Sequence, residues 1–89
     1  MHNSDSLCIC RVCGAAQLEP PWGDDGDSPN YDICDCCGAE FGYEDASLDT
    51  LKVYRAKWLG NGANWNHKKS QPDDWSLEAQ LSRIPQEYR

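Results

Sequence analysis

Two stretches, Cys10-Arg11-Val12-Cys13-Gly14 and Cys34-Asp35-Cys36-Cys37-Gly38, repeat the pattern Cys-x-x-Cys-Gly, with twenty residues between Cys13 and Cys34. A two-residue gap lets one turn of backbone aim both thiolates at the same point. The glycine that follows tolerates a positive φ, so the chain curls back with its amides turned toward sulfur. One half alone is a weak signal, because a single pair can be redox-active or accidental. Two halves with glycine in the same place form the signature of a four-thiolate zinc site, with Cys10, Cys13, Cys34 and Cys37 as ligands. Whatever else the chain does, it must fold around the point where these sulfurs meet.

The length makes that constraint stronger. At 89 residues the chain is one domain with a thin core, and folds of this size often need a staple. Six cysteines could supply three disulfides instead. Residues 1–6, however, have neither the basic start nor the apolar stretch of a secretory signal, and no run approaches membrane-spanning length. The expectation is a cytoplasmic protein with reduced thiols, no membrane association and bound metal.

The net charge of −7 is unevenly spread. Residues 1–50 carry eleven acids against Arg11 alone, a balance of −10, whereas residues 51–89 carry seven bases and four acids, a balance of +3. Four thiolates around a divalent cation add −2. Ribbons that bind nucleic acid need cations to neutralise phosphates, and this half would repel them. The charge favours solubility or a basic protein partner.

Residues 1–7 read as a polar tail and 8–89 as a single domain, with a zinc ribbon over 8–45 and a helical extension over 46–89 packed on it. After the first knuckle, 15–19 reads as a short strand. Residues 20–30 read as an acidic loop, and 31–33 as the returning strand with Tyr31 and Ile33 on one face. A third strand is expected at 40–43, ended by the acidic turn at Glu44-Asp45. Asp24-Asp25-Gly26-Asp27 lacks the twelve-residue ligand spacing of a calcium loop. Ser47 then caps a helix that Gly60 closes, with Leu48, Leu51, Tyr54 or Arg55, and Trp58 at helical spacing. Lys52, Lys57 and the Arg55 head are expected in solvent. A second helix starts near Ser76, capped by Asp74 or Ser76, places Leu77, Leu81 and Ile84 on one face, and ends at Pro85. Neither helix is long enough to hold alone, so both must dock on the ribbon.

Cys8 and Cys36 are left over. They read as small buried residues or free thiols, with ligand swapping or a Cys8–Cys36 disulfide as sharper alternatives. His67 sits beside two lysines in a surface loop, and His2 lies in the tail. No nucleophile is paired with a base and an orienting group, no glycine loop cradles phosphate, and four cysteines close the position that a catalytic zinc keeps open. An enzyme is not expected. Trp58 and Trp75 read as core pins. Trp22 and Trp65, with Asp24, Asp25 and Asp27, are the candidate interaction residues.

The knuckles resemble those of rubredoxins, which hold one iron and transfer electrons, so iron is the alternative to zinc; the helical tail has no place in that fold. The run from Tyr31 to Asp45 resembles small bacterial cysteine-rich proteins named for a Cys-Pro-Cys-Cys motif. Tyr54-Arg55-Ala56-Lys57-Trp58-Leu59-Gly60-Asn61-Gly62-Ala63-Asn64-Trp65 and Trp75-Ser76-Leu77-Glu78-Ala79-Gln80-Leu81 resemble segments of related bacterial proteins. The first knuckle departs from the motif, since Cys8-Ile9-Cys10 has no proline. The resemblance implies a bacterial zinc ribbon, and by analogy a partner of a basic toxin.

The expected architecture is a small α+β metal-bound fold, a zinc ribbon with a rubredoxin-like double knuckle, short antiparallel strands and two C-terminal helices. Its expected role is a protein-interaction module whose acidic face docks a basic protein. The alternatives are nucleic-acid binding through Lys52, Lys57, Lys68 and Lys69 with Trp65 stacking, and rubredoxin-like electron transfer.

Overall fold

The computed structural model describes residues 7–89; the tail expected at 1–7 and His2 lie outside it, apart from Leu7. The two knuckles obey the same local rules. In each, the first cysteine accepts a hydrogen bond from the glycine amide (Gly14 N to Cys10 O and Gly38 N to Cys34 O, both 2.9 Å). Each first cysteine also donates its own amide to an alanine carbonyl (Cys10 N to Ala15 O and Cys34 N to Ala39 O, both 2.9 Å). Gly14 and Gly38 hold φ of +87° and +79°, the left-handed region in which a side chain is strained. Ile9 and Ala16 bridge antiparallel in the first knuckle, and Ile33 and Glu40 in the second. The shared pattern is therefore Ile-Cys-x-x-Cys-Gly-Ala, and the second copy repeats the first with its backbone bonds intact.

Those two bridges are all that the described residues keep of the three strands expected at 15–19, 31–33 and 40–43. The reason is local. Each knuckle turns the chain so sharply that a single rung closes the ladder. Tyr31, at φ +60°, breaks the extended run that would lengthen the second. Tyr31 and Ile33 are both exposed, so their alternation describes a solvent face rather than a core face.

Helix α1, Leu48–Gly60, begins as the residues dictate. The Ser47 hydroxyl accepts from Thr50 N, and the Thr50 hydroxyl accepts from Ser47 N, a reciprocal capping pair. Its end differs from expectation. Gly60 stays helical, Asn61 caps, and Gly62 takes the positive φ of +102°. Gly62 N bonds to Leu59 O, and Ala63 N to Trp58 O, the paired bonds of a Schellman termination. Leu51 and Trp58 are buried and Leu48 is exposed, so the packed stripe is narrower than its spacing suggested.

Helix α2, Leu77–Leu81, is capped by Ser76, whose hydroxyl accepts from Ala79 N. Its most buried residue is Gln80 rather than either leucine, and Ile84 is buried beyond the helix end. Short 3-10 turns at Lys68–Ser70 and Gln86–Tyr88 complete the element order. The Cα radius of gyration is 11.9 Å, against about 12 Å for a packed domain of this length. The helical half lies on the knuckles rather than extending from them.

The core and the sulfur cluster are one object. Cys10, Cys13, Cys34, Cys36 and Cys37 are buried together with Val12, Phe41, Leu51 and Trp58. Beside it, Asp45 is almost wholly buried, and its carboxylate accepts Trp22 Nε1 at 2.8 Å and Gly42 N at 2.7 Å. The Arg11 guanidinium is sandwiched 4.4 Å from the ring centroids of both Trp22 and Tyr88.

Candidate metal centre

The sulfurs of Cys10, Cys13, Cys34 and Cys37 lie within 4.8 Å of one another, and all four residues are buried. Across the knuckles, Cys10 Sγ stands 3.8 Å from Cys37 Sγ, and Cys13 Sγ stands 3.7 Å from Cys34 Sγ. A disulfide needs about 2.05 Å between sulfurs, so neither pair is bonded. A regular tetrahedron with a metal–sulfur bond of about 2.3 Å has edges of about 3.8 Å. The cross-knuckle distances fit that figure. The donor set is a closed four-sulfur shell of a size that suits zinc or iron.

Electrostatics points the same way. Hydrogen bonding to Cys10, then to Cys34, Cys36 and Cys37, together with burial, holds the Cys13 thiol far above the ordinary thiol range. Cys37 is raised too, first by Cys10. Cys34 is held far below that range, first by the Cys10 thiol, then by those of Cys13 and Cys37. A negative sulfur on Cys34 is therefore supported by its neighbours, while negative charge on Cys13 and Cys37 is opposed. Four thiolates in this space require a cation among them.

Side chains from the helical half hold both knuckles in place. Arg55 donates Nε to Val12 O at 2.6 Å and a terminal nitrogen to Arg11 O at 2.9 Å and Tyr88 O at 2.6 Å. Its neighbour Tyr54 donates its hydroxyl to Cys37 O at 3.0 Å. Consecutive residues of α1 thus clamp one knuckle each. The expectation that the Arg55 head faces solvent is overturned: three carbonyls take its forked donors. From α2, Gln80 Nε2 donates to Cys13 O at 3.1 Å and to Cys36 Sγ at 3.2 Å, and its Oε1 accepts Trp75 Nε1 at 2.7 Å. Gln17 Nε2 lies 3.5 Å from Cys34 Sγ.

Arg55→Ala should leave two knuckle carbonyls and the Tyr88 carbonyl short of a donor and cost about 2–4 kcal/mol. Arg55→Lys, which keeps the charge but loses the fork, should recover only part of that. Urea titrations of the two variants check this; equal stability of Arg55→Ala and wild type would contradict it.

Cys8 and Cys36 are both free thiols, so the disulfide that their adjoining positions allowed is not formed. Cys36 occupies in the second knuckle the place of Val12 in the first, and both are fully buried. That place faces inward, where a small apolar side chain packs. The interaction candidates divide. Trp22 bonds to Asp45 and stacks on Arg11. The Asp25 carboxylate accepts Asp27 N at 2.9 Å and the Ser28 hydroxyl at 3.0 Å. Those bonds, the Asp27 amide foremost, hold it below the usual carboxylate range. Asp24 and Asp27 are exposed on the same loop. Trp65 stands on a different cavity, edge-to-face with Trp75 at 5.8 Å between centroids.

Arg55, Tyr54 and Gln80 are the positioning residues that spacing alone did not reveal. One signal was present: glutamine stands between two leucines on a short helix, at a position that the structure buries.

No family model matches the chain, and no solved structure matches it. A relative 31% identical over 99 aligned positions covers 93% of this chain and 71% of its own length. It is the uncharacterized protein YozI of Bacillus subtilis (strain 168).

Proposed function

Because the chain belongs to the family of YozI of Bacillus subtilis, and because it gathers four buried cysteine sulfurs within 4.8 Å of one another, we propose that it is a structural-zinc protein-interaction module. On this reading Cys10, Cys13, Cys34 and Cys37 hold Zn2+ in a zinc-ribbon fold, in the cytoplasm, and the acidic face docks a basic protein. The observation that carries the reading is the closure of the site. Its ligands are buried, all four positions are filled by sulfur, and Arg55, Tyr54 and Gln80 fasten the knuckle carbonyls. Such a shell leaves no position for water or substrate, which favours a structural over a catalytic metal.

The function then falls to the surface. Glu19, Asp24, Asp25, Asp27, Asp32 and Asp35 are all exposed. Two of the eight cations, Arg11 and Arg55, are turned inward onto rings and carbonyls, which lowers the positive charge available to a phosphate backbone. No helix is long and apolar enough to cross a membrane among the described residues.

Elemental analysis of the purified protein should give one zinc per chain and a colourless solution. A pull-down from the source lysate should return a basic protein. A red, iron-containing protein would replace this reading with rubredoxin-like electron transfer. Recovery of nucleic acid alone would replace it with the nucleic-acid reading.

A further inference from the structure

A groove of about 640 Å³ runs between the knuckles and the helical half, within the range of clefts that bind ligands. One wall is the outgoing limb of the first knuckle and the incoming limb of the second, where Leu18 and Ile33 stand exposed at 103% and 57%. The other wall carries the Trp65–Trp75 pair. Exposed aliphatic side chains and an aromatic pair line the same groove, and apolar patches of this kind mark contact surfaces. The aromatic wall is already held: Trp75 Nε1 is anchored on Gln80, which also fastens the first knuckle. Little order remains to be gained when a partner arrives.

Charge selects the partner. Glu19, Asp32 and Asp35 line the groove against Arg83 alone. Ser70 engages Asp35, leaving Glu19 and Asp32 as exposed carboxylates beside Leu18 and Ile33. A phosphate backbone or a second acidic copy of this chain would be repelled. A segment alternating cationic and aliphatic side chains matches both features of the wall.

We propose that this groove, bounded by Leu18, Ile33, Trp65 and Trp75 and edged by Glu19 and Asp32, is the docking site for an extended lysine- or arginine-bearing segment of a protein partner. The inference rests on the interaction-module reading and places its contact surface away from the Trp22 loop. Aliphatic side chains of the segment lie on the tryptophan pair, and its cations reach the two carboxylates.

The test is fluorescence anisotropy with a labelled octapeptide of alternating lysine and leucine, titrated with the zinc-loaded full chain. Wild type should bind it, and bind octapeptides of glutamate–leucine or lysine–serine at least about tenfold more weakly. Leu18→Ser with Ile33→Ser should weaken the lysine–leucine peptide by about tenfold or more. Glu19→Gln with Asp32→Asn should weaken it about threefold or more and flatten its salt dependence. All four positions are exposed, so zinc content and melting temperature should stay at wild-type values, which excludes misfolding as the cause. Equal binding by the variants, or displacement of the peptide by oligo-deoxythymidine, would overturn the site. A basic protein retained equally by wild type and the fourfold variant would overturn the groove and leave the interaction module standing. A wild type that retained no basic protein, yet bound the peptide through these residues, would overturn the module reading and keep the groove.

Discussion

Cys34→Ser is expected to lose the cooperative fold altogether. Structural zinc contributes on the order of 10–16 kcal/mol in small modules, whereas the net stability of a domain is about 5–15 kcal/mol. The metal term is therefore as large as the whole margin. Here the cluster also forms the centre of the hydrophobic core, so removing one sulfur disturbs packing and coordination together. Far-ultraviolet circular dichroism should show loss of the α1 signal, and elemental analysis should show loss of zinc. Wild type stripped by a strong chelator in mild denaturant should behave the same way, and should refold when zinc is returned. Acid should mimic the chelator, because protons compete with the metal for thiolate. Cys8→Ser, at a half-buried thiol outside the cluster, should keep one zinc and change stability by no more than about 0.5 kcal/mol. A Cys34→Ser protein that kept one metal and a wild-type melting curve would refute the assignment of ligands.

The second large effect is an asymmetry between two glycines that look equivalent in the sequence. Both stand at positive φ, so alanine at either is strained by about 1–2 kcal/mol. At Gly38, a Cβ would meet the Asn66 side chain at 3.3 Å and the Tyr54 hydroxyl at 3.4 Å, and side-chain atoms can shift. At Gly14, it would overlap the backbone carbonyl of Gln80 and press on Ile84. Backbone cannot yield without moving α2 from the first knuckle, and Gln80 is the residue that fastens the two. Gly14→Ala should therefore cost about 3 kcal/mol or more, and Gly38→Ala about 1–2 kcal/mol. Denaturant midpoints of the two variants, compared at equal zinc loading, check this. Equal losses would mean that α2 is not seated on the Gly14 turn.

The ligands and the helix starts were legible because their causes are local. A two-residue gap and a trailing glycine confine two sulfurs within one turn, whatever surrounds them. Ser47 and Ser76 cap because each hydroxyl is covalently placed three residues before the amide it accepts. The strands were misread for an equally local reason. Alternation at 31–33 makes a strand only where a neighbour pairs along several residues, and each knuckle supplies a single bridge. The end of α1 moved by two residues because both Gly60 and Gly62 are permissive. The bonds of Gly62 and Ala63 back into the helix chose between them.

What spacing left open was the company that the knuckles keep. Arg55 looked like a solvent cation, and its three acceptors are 33, 43 and 44 residues away. The spacing gave Gln80 no role, and its carbonyl partner is 67 residues away. Trp22 looked like a free anchor until Asp45 and Arg11 claimed its two polar surfaces, the ring edge and the ring face. The sequence by itself determined that each knuckle brings two sulfurs together, because covalent spacing sets those distances. Only the tertiary structure decided which side chains seal the site and which surface stays open, because hydrogen bonds and burial across many residues depend on how the two halves dock.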